Sequence, residues 1–190
     1  KDQFYSNWGN MYYFGKDGAR YTNQYYSNWG HTYYFGEGGV RYTDRFYSND
    51  GKLYYFDKKG IRLTNQWYQN WGNKYYFGAD GARITSTTHD IDGVTYYFDN
   101  QGIMKSDYFL NQGGKVYYFD KDGKEYKDQF YSNWGNMYYF GKDGARYTNR
   151  FYQNWGHTYY FGDGGVLLKN QTKQIDGITL TFDKDGIITN

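Results

Sequence analysis

The sequence predicts an all-β fold, a β-hairpin solenoid of nine 21-residue repeats, and three observations predict it. The triplet Tyr12-Tyr13-Phe14 returns every 21 residues through Tyr159-Tyr160-Phe161, ends as Leu180-Thr181-Phe182, and is never shifted by an insertion or deletion. Gly stands three positions before each triplet, from Gly9 to Gly177, and again six positions after its first residue, from Gly18 to Gly186, in all nine units. Aromatic residues make up 25% of the chain, so Tyr and Phe supply the burial that scarce Leu, Ile and Val do not. A fixed short period marks a solenoid, in which each unit is one supersecondary element packed on its neighbours.

The elements follow in order along each unit. Gln3-Phe4-Tyr5-Ser6 and Met11-Tyr12-Tyr13-Phe14 are rich in strand formers. Between them Asn7-Trp8-Gly9-Asn10 reads as a tight hairpin turn, and Ser48-Asn49-Asp50-Gly51 shows the more familiar Asp-Gly form. The second Gly, as in Lys16-Asp17-Gly18, releases the chain into a short extended link, Ala19-Arg20-Tyr21-Thr22, that delivers the next hairpin. With Trp8 and Gly9 at the turn centre, Tyr5 pairs with Tyr12 and Phe4 with Tyr13. Tyr5, Tyr12 and Phe14 then share one face, and Phe4, Met11 and Tyr13 the other. Because the Phe14 position never varies, its face is expected to form the solenoid interior. The opposite face is expected to pack on neighbouring units, to meet a ligand, or both.

Residues 1–190 read as one elongated repeat domain. Its last unit, about residues 170–190, looks degenerate or capping, since Thr172, Leu180 and Thr181 stand at aromatic positions. Lys1 begins in mid-repeat, so the chain reads as a piece of a larger protein. Basic and acidic residues number 22 and 20 and are evenly spread, which leaves no basic stripe for a nucleic acid. No apolar run is long enough to cross a membrane. There is no Cys to form a disulfide. A monomer is expected.

Chemistry is sought in what the units share and in what distinguishes them. Trp fills the first turn in five units, at Trp8, Trp29, Trp71, Trp134 and Trp155, where the others have Asp50, Asp92, Gly113 and Asp176. A pyranose has an apolar C–H face and a fringe of hydroxyls, so a flat ring flanked by amides, guanidinium or imidazole suits it. Trp8 with Arg20 and Gln24, and Trp29 with His31, supply such sets, as do Trp71, Trp134, and Trp155 with His157. The second triplet residues Tyr13, Tyr34, Tyr76, Tyr139 and Tyr160 are further candidates for sugar contact. The alternative for each ring is a purely structural one, capping the hairpin or covering its neighbour. Arg20, Arg41, Arg62, Arg83 and Arg146 recur at one position and are expected to stack on Tyr as solvated connector residues.

Catalysis finds no support. Asp17, Asp80, Asp122, Asp143 and Asp185 all precede the second Gly, where Asp forms turns. They are copies of one environment, whereas a catalytic pair needs two unlike ones. No nucleophile elbow, zinc motif or phosphate loop is present, and no metal or cofactor is expected.

Units such as Ile91-Asp92-Gly93-Val94-Thr95-Tyr96-Tyr97-Phe98-Asp99 and Gly135-Asn136-Met137-Tyr138-Tyr139-Phe140-Gly141 resemble the glucan-binding repeats of glucansucrases, the secreted family 70 transglycosylases of lactic acid bacteria and streptococci. The Asn-Trp-Gly variety is most similar to the short C-terminal repeats of alternansucrase-type enzymes. Choline-binding repeats and clostridial toxin repeats share the Tyr-Tyr-Phe and Gly pattern. The residue before the triplet is Met, Thr, Leu, Lys or Val among the eight full triplets, and never the Trp of choline-binding repeats. The resemblance implies a non-catalytic, extracellular module outside the catalytic domain, which binds α-glucan of the dextran or alternan type. The alternative it implies is a cell-wall or cell-surface attachment or spacer module.

Overall fold

The computed structural model describes residues 1–190 and contains nine two-stranded antiparallel hairpins, with one 3-10 turn at Glu37–Gly39. The first hairpin pairs Gln3–Asn7 with Asn10–Phe14, and the last pairs Gln171–Ile175 with Ile178–Phe182. Register follows the sequence reading, with Phe4 opposite Tyr13 and Tyr5 opposite Tyr12. Both central turn residues lie at positive φ, 50° at Trp8 and 77° at Gly9, the geometry whose twist matches a two-residue hairpin. The degenerate last unit folds as the same hairpin, and its Phe182 is buried.

The chain divides into two compact units, Lys1–Thr87 with Phe98–Met104, and Thr88–Tyr97 with Lys105–Asn190. Within each, successive repeats are joined by the same backbone hydrogen bond. The connector of one repeat donates to the hairpin before it: Arg41 N–H to the Met11 carbonyl and Arg62 N–H to that of Thr32 in the first unit, Arg146 N–H to that of Val116 in the second, each at 2.8 Å. Each connector also bridges its own hairpin, as Phe56 does with Arg62.

The core lies in the layers between hairpins. Eight of the nine triplet Phe side chains, from Phe35 to Phe182, are fully buried. Phe77 meets Tyr55 of the preceding repeat at 6.4 Å between centroids and Tyr68 of its own at 6.2 Å. Phe161 meets Tyr139 and Tyr147 of the repeat before it at 6.3 and 6.1 Å. The Phe face is interior as expected, and the opposite face takes the packing role on neighbouring units that was one of the two expected of it. Both faces of a hairpin pack, the Phe face on the repeat before and the Tyr13-type face on the repeat after. A two-stranded ribbon has too little area on one face to hold a core by itself.

The two invariant glycines have different reasons. At the hairpin tip Gly51 has positive φ and open space around it. At the connector Gly60 has φ +74°, and an added Cβ would also lie 2.6 Å from Arg41 Nε and 3.0 Å from the Tyr42 carbonyl oxygen. Only Gly admits the preceding repeat that closely.

Candidate carbohydrate-binding surface

The hairpin tips carry the first set of candidates. Trp8, Trp29, Trp71, Trp134 and Trp155 are 90–95% exposed. All five sit at φ between 50° and 52°, a left-handed conformation that is an outlier for a bulky side chain. Each is flanked across the turn by polar groups: Asn7 and Asn10, Asn28 and His31, Asn70 and Asn73, Asn133 and Asn136, Asn154 and His157 are paired residues. Turns without Trp lose this frame, with Asn49 opposite Lys52, Gln112 opposite Lys115, and Ile175 opposite Ile178. What varies with the Trp is the residue after the Gly, Asn or His beside Trp and Lys, Val or Ile at the other tips, while the amide before the turn persists at Asn49 and Gln112. His31 and His157 are exposed beside their Trp, so the tip offers a flat ring with donors and acceptors at its edge.

Arg20 and Gln24 lie elsewhere. Arg20 bridges Phe14, and Gln24 pairs with Phe35, at the ends of their hairpins opposite the tips. Four residue steps of strand, roughly 13 Å, separate that end from Trp8. Sequence proximity therefore misleads here, and the structure does not bring Trp8, Arg20 and Gln24 together.

The five candidate tyrosines are buried. Tyr13, Tyr34, Tyr76, Tyr139 and Tyr160 retain 2–7% of their surface, which leaves no open face for a sugar. They pack on the next repeat instead: Tyr13 lies 3.9 Å from Tyr26 and Tyr139 lies 4.2 Å from Tyr152 between centroids. The hydroxyls of Tyr13, Tyr55, Tyr118 and Tyr139 donate to Asp2, Asp44, Asp107 and Asp128. These acids open their repeats at positive φ, a second left-handed position that sequence reasoning missed. Asp or Asn there, residues that tolerate that conformation, was the available signal. For Tyr13 the bond to Asp2 leads in raising the phenol above its ordinary range. For Tyr55, Tyr118 and Tyr139 burial leads and the carboxylate adds to it.

A row of half-exposed rings was also missed. Phe4, Tyr25, Phe46, Trp67, Phe109, Phe130 and Phe151, eight positions before the triplet, are 37–43% exposed. The connector arginines stack on rings as expected, but they are not wholly solvated. The guanidinium of Arg62 lies 5.7 Å from the Tyr25 centroid and 5.6 Å from that of Tyr54. Arg41 sits likewise 6.0 Å from Phe4 and 5.7 Å from Tyr33.

The acids before the second Gly are turn formers. Carboxylates of Asp17 and Asp80 accept the N–H of Ala19 and Ala82 at 2.9 Å. Where Asp stands two positions earlier, as at Asp57 and Asp183, one oxygen accepts two backbone N–H groups.

Residues 84–130 match the family described as choline-binding repeat. CbpJ from Streptococcus pneumoniae is similar in structure, with TM-score 0.78 and 26% identity over 95% of this chain and 62% of its own. Choline binding protein F of the same organism, solved in the presence of a peptidoglycan analogue, gives 0.73 and 26% over 95% and 61%. The choline-binding domain of CbpL, also from S. pneumoniae, gives 0.80 and 21% over 100% and 98%, a likeness of fold. The chain spans about three fifths of the length of CbpJ and of protein F. No curated protein matches it. The segment that matches the choline-binding repeat is thus one stretch of a chain whose other hairpins have the same form.

Proposed function

We propose that residues 1–190 form one non-catalytic, extracellular carbohydrate-binding domain of a larger protein, a secreted glucansucrase, and that its hairpin-tip tryptophans bind α-glucan weakly and additively. One observation carries the reading. Five tips hold a bulky ring, nine-tenths exposed, at a backbone conformation that Asp or Gly fills in the other four. A left-handed φ disfavours such a side chain by roughly 1–2 kcal/mol. Stability alone would select Asp or Gly, as it does at Asp50 and Gly113. Strain kept at an exposed aromatic, and kept together with flanking Asn and His, is what a ligand contact requires.

A shallow site for one or two sugar units binds on the order of millimolar, about −4 kcal/mol. Several such sites on one polymer raise apparent affinity by about 10²–10⁴-fold. Polymer is therefore held much more tightly than short oligosaccharides, and salt changes little, because stacking and neutral hydrogen bonds are hardly screened.

The second reading, attachment to bacterial cell wall, is favoured by the choline-binding repeat match and by the likeness to protein F, which was solved in the presence of a peptidoglycan analogue. Affinity electrophoresis in dextran and alternan gels, beside a pull-down with purified cell walls, separates the two. The glucan reading expects retention of the wild type and loss in the variant with all five tip Trp changed to Ala. Equal migration of folded variant and wild type in every glucan overturns the Trp sites. Wild type that ignores both glucans but sediments with walls replaces glucan by wall polymer.

A further inference from the structure

The arginine row sits where an aromatic-lined cation site would hold its ligand. Arg62 carries its guanidinium near both Tyr25 of the repeat before and Tyr54 of its own, and Arg41 lies beside Phe4 and Tyr33, two rings that meet edge to face at 5.6 Å. Arg83 and Arg146 lie 5.6 Å from the corresponding rings, Tyr75 and Tyr138. Clustered rings are the usual receptor for a quaternary ammonium, held by the negative faces of the π-systems.

The stems are held from behind. An added Cβ at Gly60, Gly81, Gly102 or Gly165 would meet the Nε of Arg41, Arg62, Arg83 or Arg146 at 2.6–2.8 Å, so the glycine of the following repeat closes over each side chain. The same four Nε atoms are buried and meet no acceptor. An arginine placed to grip an anion would spend that N–H on it. Rings and glycine surround these stems, while the Arg62 guanidinium also reaches the Tyr25 hydroxyl and feels the Asp80 carboxylate, and Arg41 feels that of Asp57.

The arginines stand at a fixed offset from a ring of the repeat before. Arg41, Arg62, Arg83 and Arg146 each follow a ring by 37 positions: Phe4, Tyr25, Phe46 and Phe109. At the same offset from Thr88, where the ring is missing, the chain has Glu125. The Glu125 carboxylate occupies the same space over Gly144 and pairs with Lys127 at 3.0 Å. After Trp67, Phe130 and Phe151 the same offset brings Met104, Leu167 and Ile188, so arginine fills four of the seven ring-flanked positions.

We propose that Arg41, Arg62, Arg83 and Arg146 are tethered cations that fill the inter-repeat aromatic sites, so that these repeats exclude an external quaternary ammonium such as choline. The chain keeps the hairpin repeat while supplying the cation itself. This is independent of the hairpin tips and of what they bind.

The test titrates choline chloride into wild type and into Arg62→Met, following the ring resonances of Tyr25 and Tyr54 by NMR. Met is compatible with the repeat: Met104 occupies the equivalent position, and its N–H donates to the Lys74 carbonyl at 2.8 Å as that of Arg62 does to Thr32. Arg62→Leu, matching Leu167, is the second variant. Wild type is expected to show no choline response at these two rings. The variants gain a saturable one, at least tenfold tighter than any wild-type response, with glucan retention unchanged. Saturable shifts of Tyr25 and Tyr54 in wild type, or no gain in either folded variant, overturn the proposal. Glucan retention reports on the tips alone, so failure of the glucan reading is seen separately.

Discussion

Tyr34 and Tyr47 come from successive repeats and stack at 4.2 Å between centroids and 27° between planes, with the Tyr47 hydroxyl donating to that of Tyr34 at 3.0 Å. Phe56 closes the same cluster, 6.3 Å from Tyr34 and 6.5 Å from Tyr47. One face of a repeat thus meets the opposite face of the next, and each layer holds its own small core. Stability is then a sum of neighbour terms. Phe77→Ala, at a fully buried position, should cost about 3–5 kcal/mol locally. Hydrogen exchange should show protection lost in the third to fifth repeats and retained in the first and ninth. Uniform loss along the chain would contradict the layered core.

The two glycines of a repeat should respond unequally. Gly51→Ala meets open space and bears only the positive-φ penalty, about 1–2 kcal/mol. Gly60→Ala adds a collision with the Arg41 stem and the Tyr42 carbonyl, and should be clearly more destabilising in urea denaturation. Equal midpoints for the two variants would show that the close approach of Arg41 is not what the connector glycine serves.

Trp71→Asp converts a Trp-Gly tip into the Asp-Gly tip already present at Asp50-Gly51. Relief of the left-handed strain at a side chain that is 93% exposed should raise stability by about 1 kcal/mol. Glucan retention should fall by the share of one site in five. Opposite signs for stability and binding are expected of a functional strain, and a loss of both would mark Trp71 as structural.

Stability should fall in alkali. Tyr13, Tyr34, Tyr55, Tyr118 and Tyr139 are all raised from the ordinary value of 10.0, Tyr13 chiefly through its bond to Asp2 and the others chiefly through burial. Above pH 10 the unfolded chain loses these protons while the folded chain keeps them. Stability present below that pH is therefore lost progressively as pH rises. Melting temperatures measured from about pH 8 to 12 should decline beyond pH 10, and more shallowly in Tyr55→Phe, which removes one of the five groups. A flat profile through that range would contradict the buried protonated phenols.

Much of the hairpin was legible in local chemistry. The spacing of Trp8-Gly9 between strand formers sets the two-residue turn, the turn sets the pairing of Tyr5 with Tyr12, and period-2 alternation sorts the faces. The exposed tip Trp residues were legible too, because a turn centre points its side chain away from the ribbon. Side chains judged by nearness in sequence were not, and Arg20 and Gln24 stand at the far ends of their hairpins from Trp8 and Trp29. The burial of Tyr13 and Tyr34 was hidden for a related reason, since what covers them belongs to the next repeat.

Lys1 to Asn23 and Lys127 to Asn149 show where that boundary lies, for they are the same 23 residues twice. Their strands, their pairings and their left-handed turns are the same, because these depend on bonds and torsions within the segment. Phe140 is nonetheless wholly buried by side chains outside those residues. It has Tyr118 and Tyr126 of the repeat before it within 6.2 Å, contacts that its own 23 residues do not contain. Sequence alone determined the hairpin, and with it the exposed Trp at its tip. Burial, the stacking of arginine between rings and the close approach to Gly60 were decided only by the tertiary structure, because each needs atoms of a second repeat.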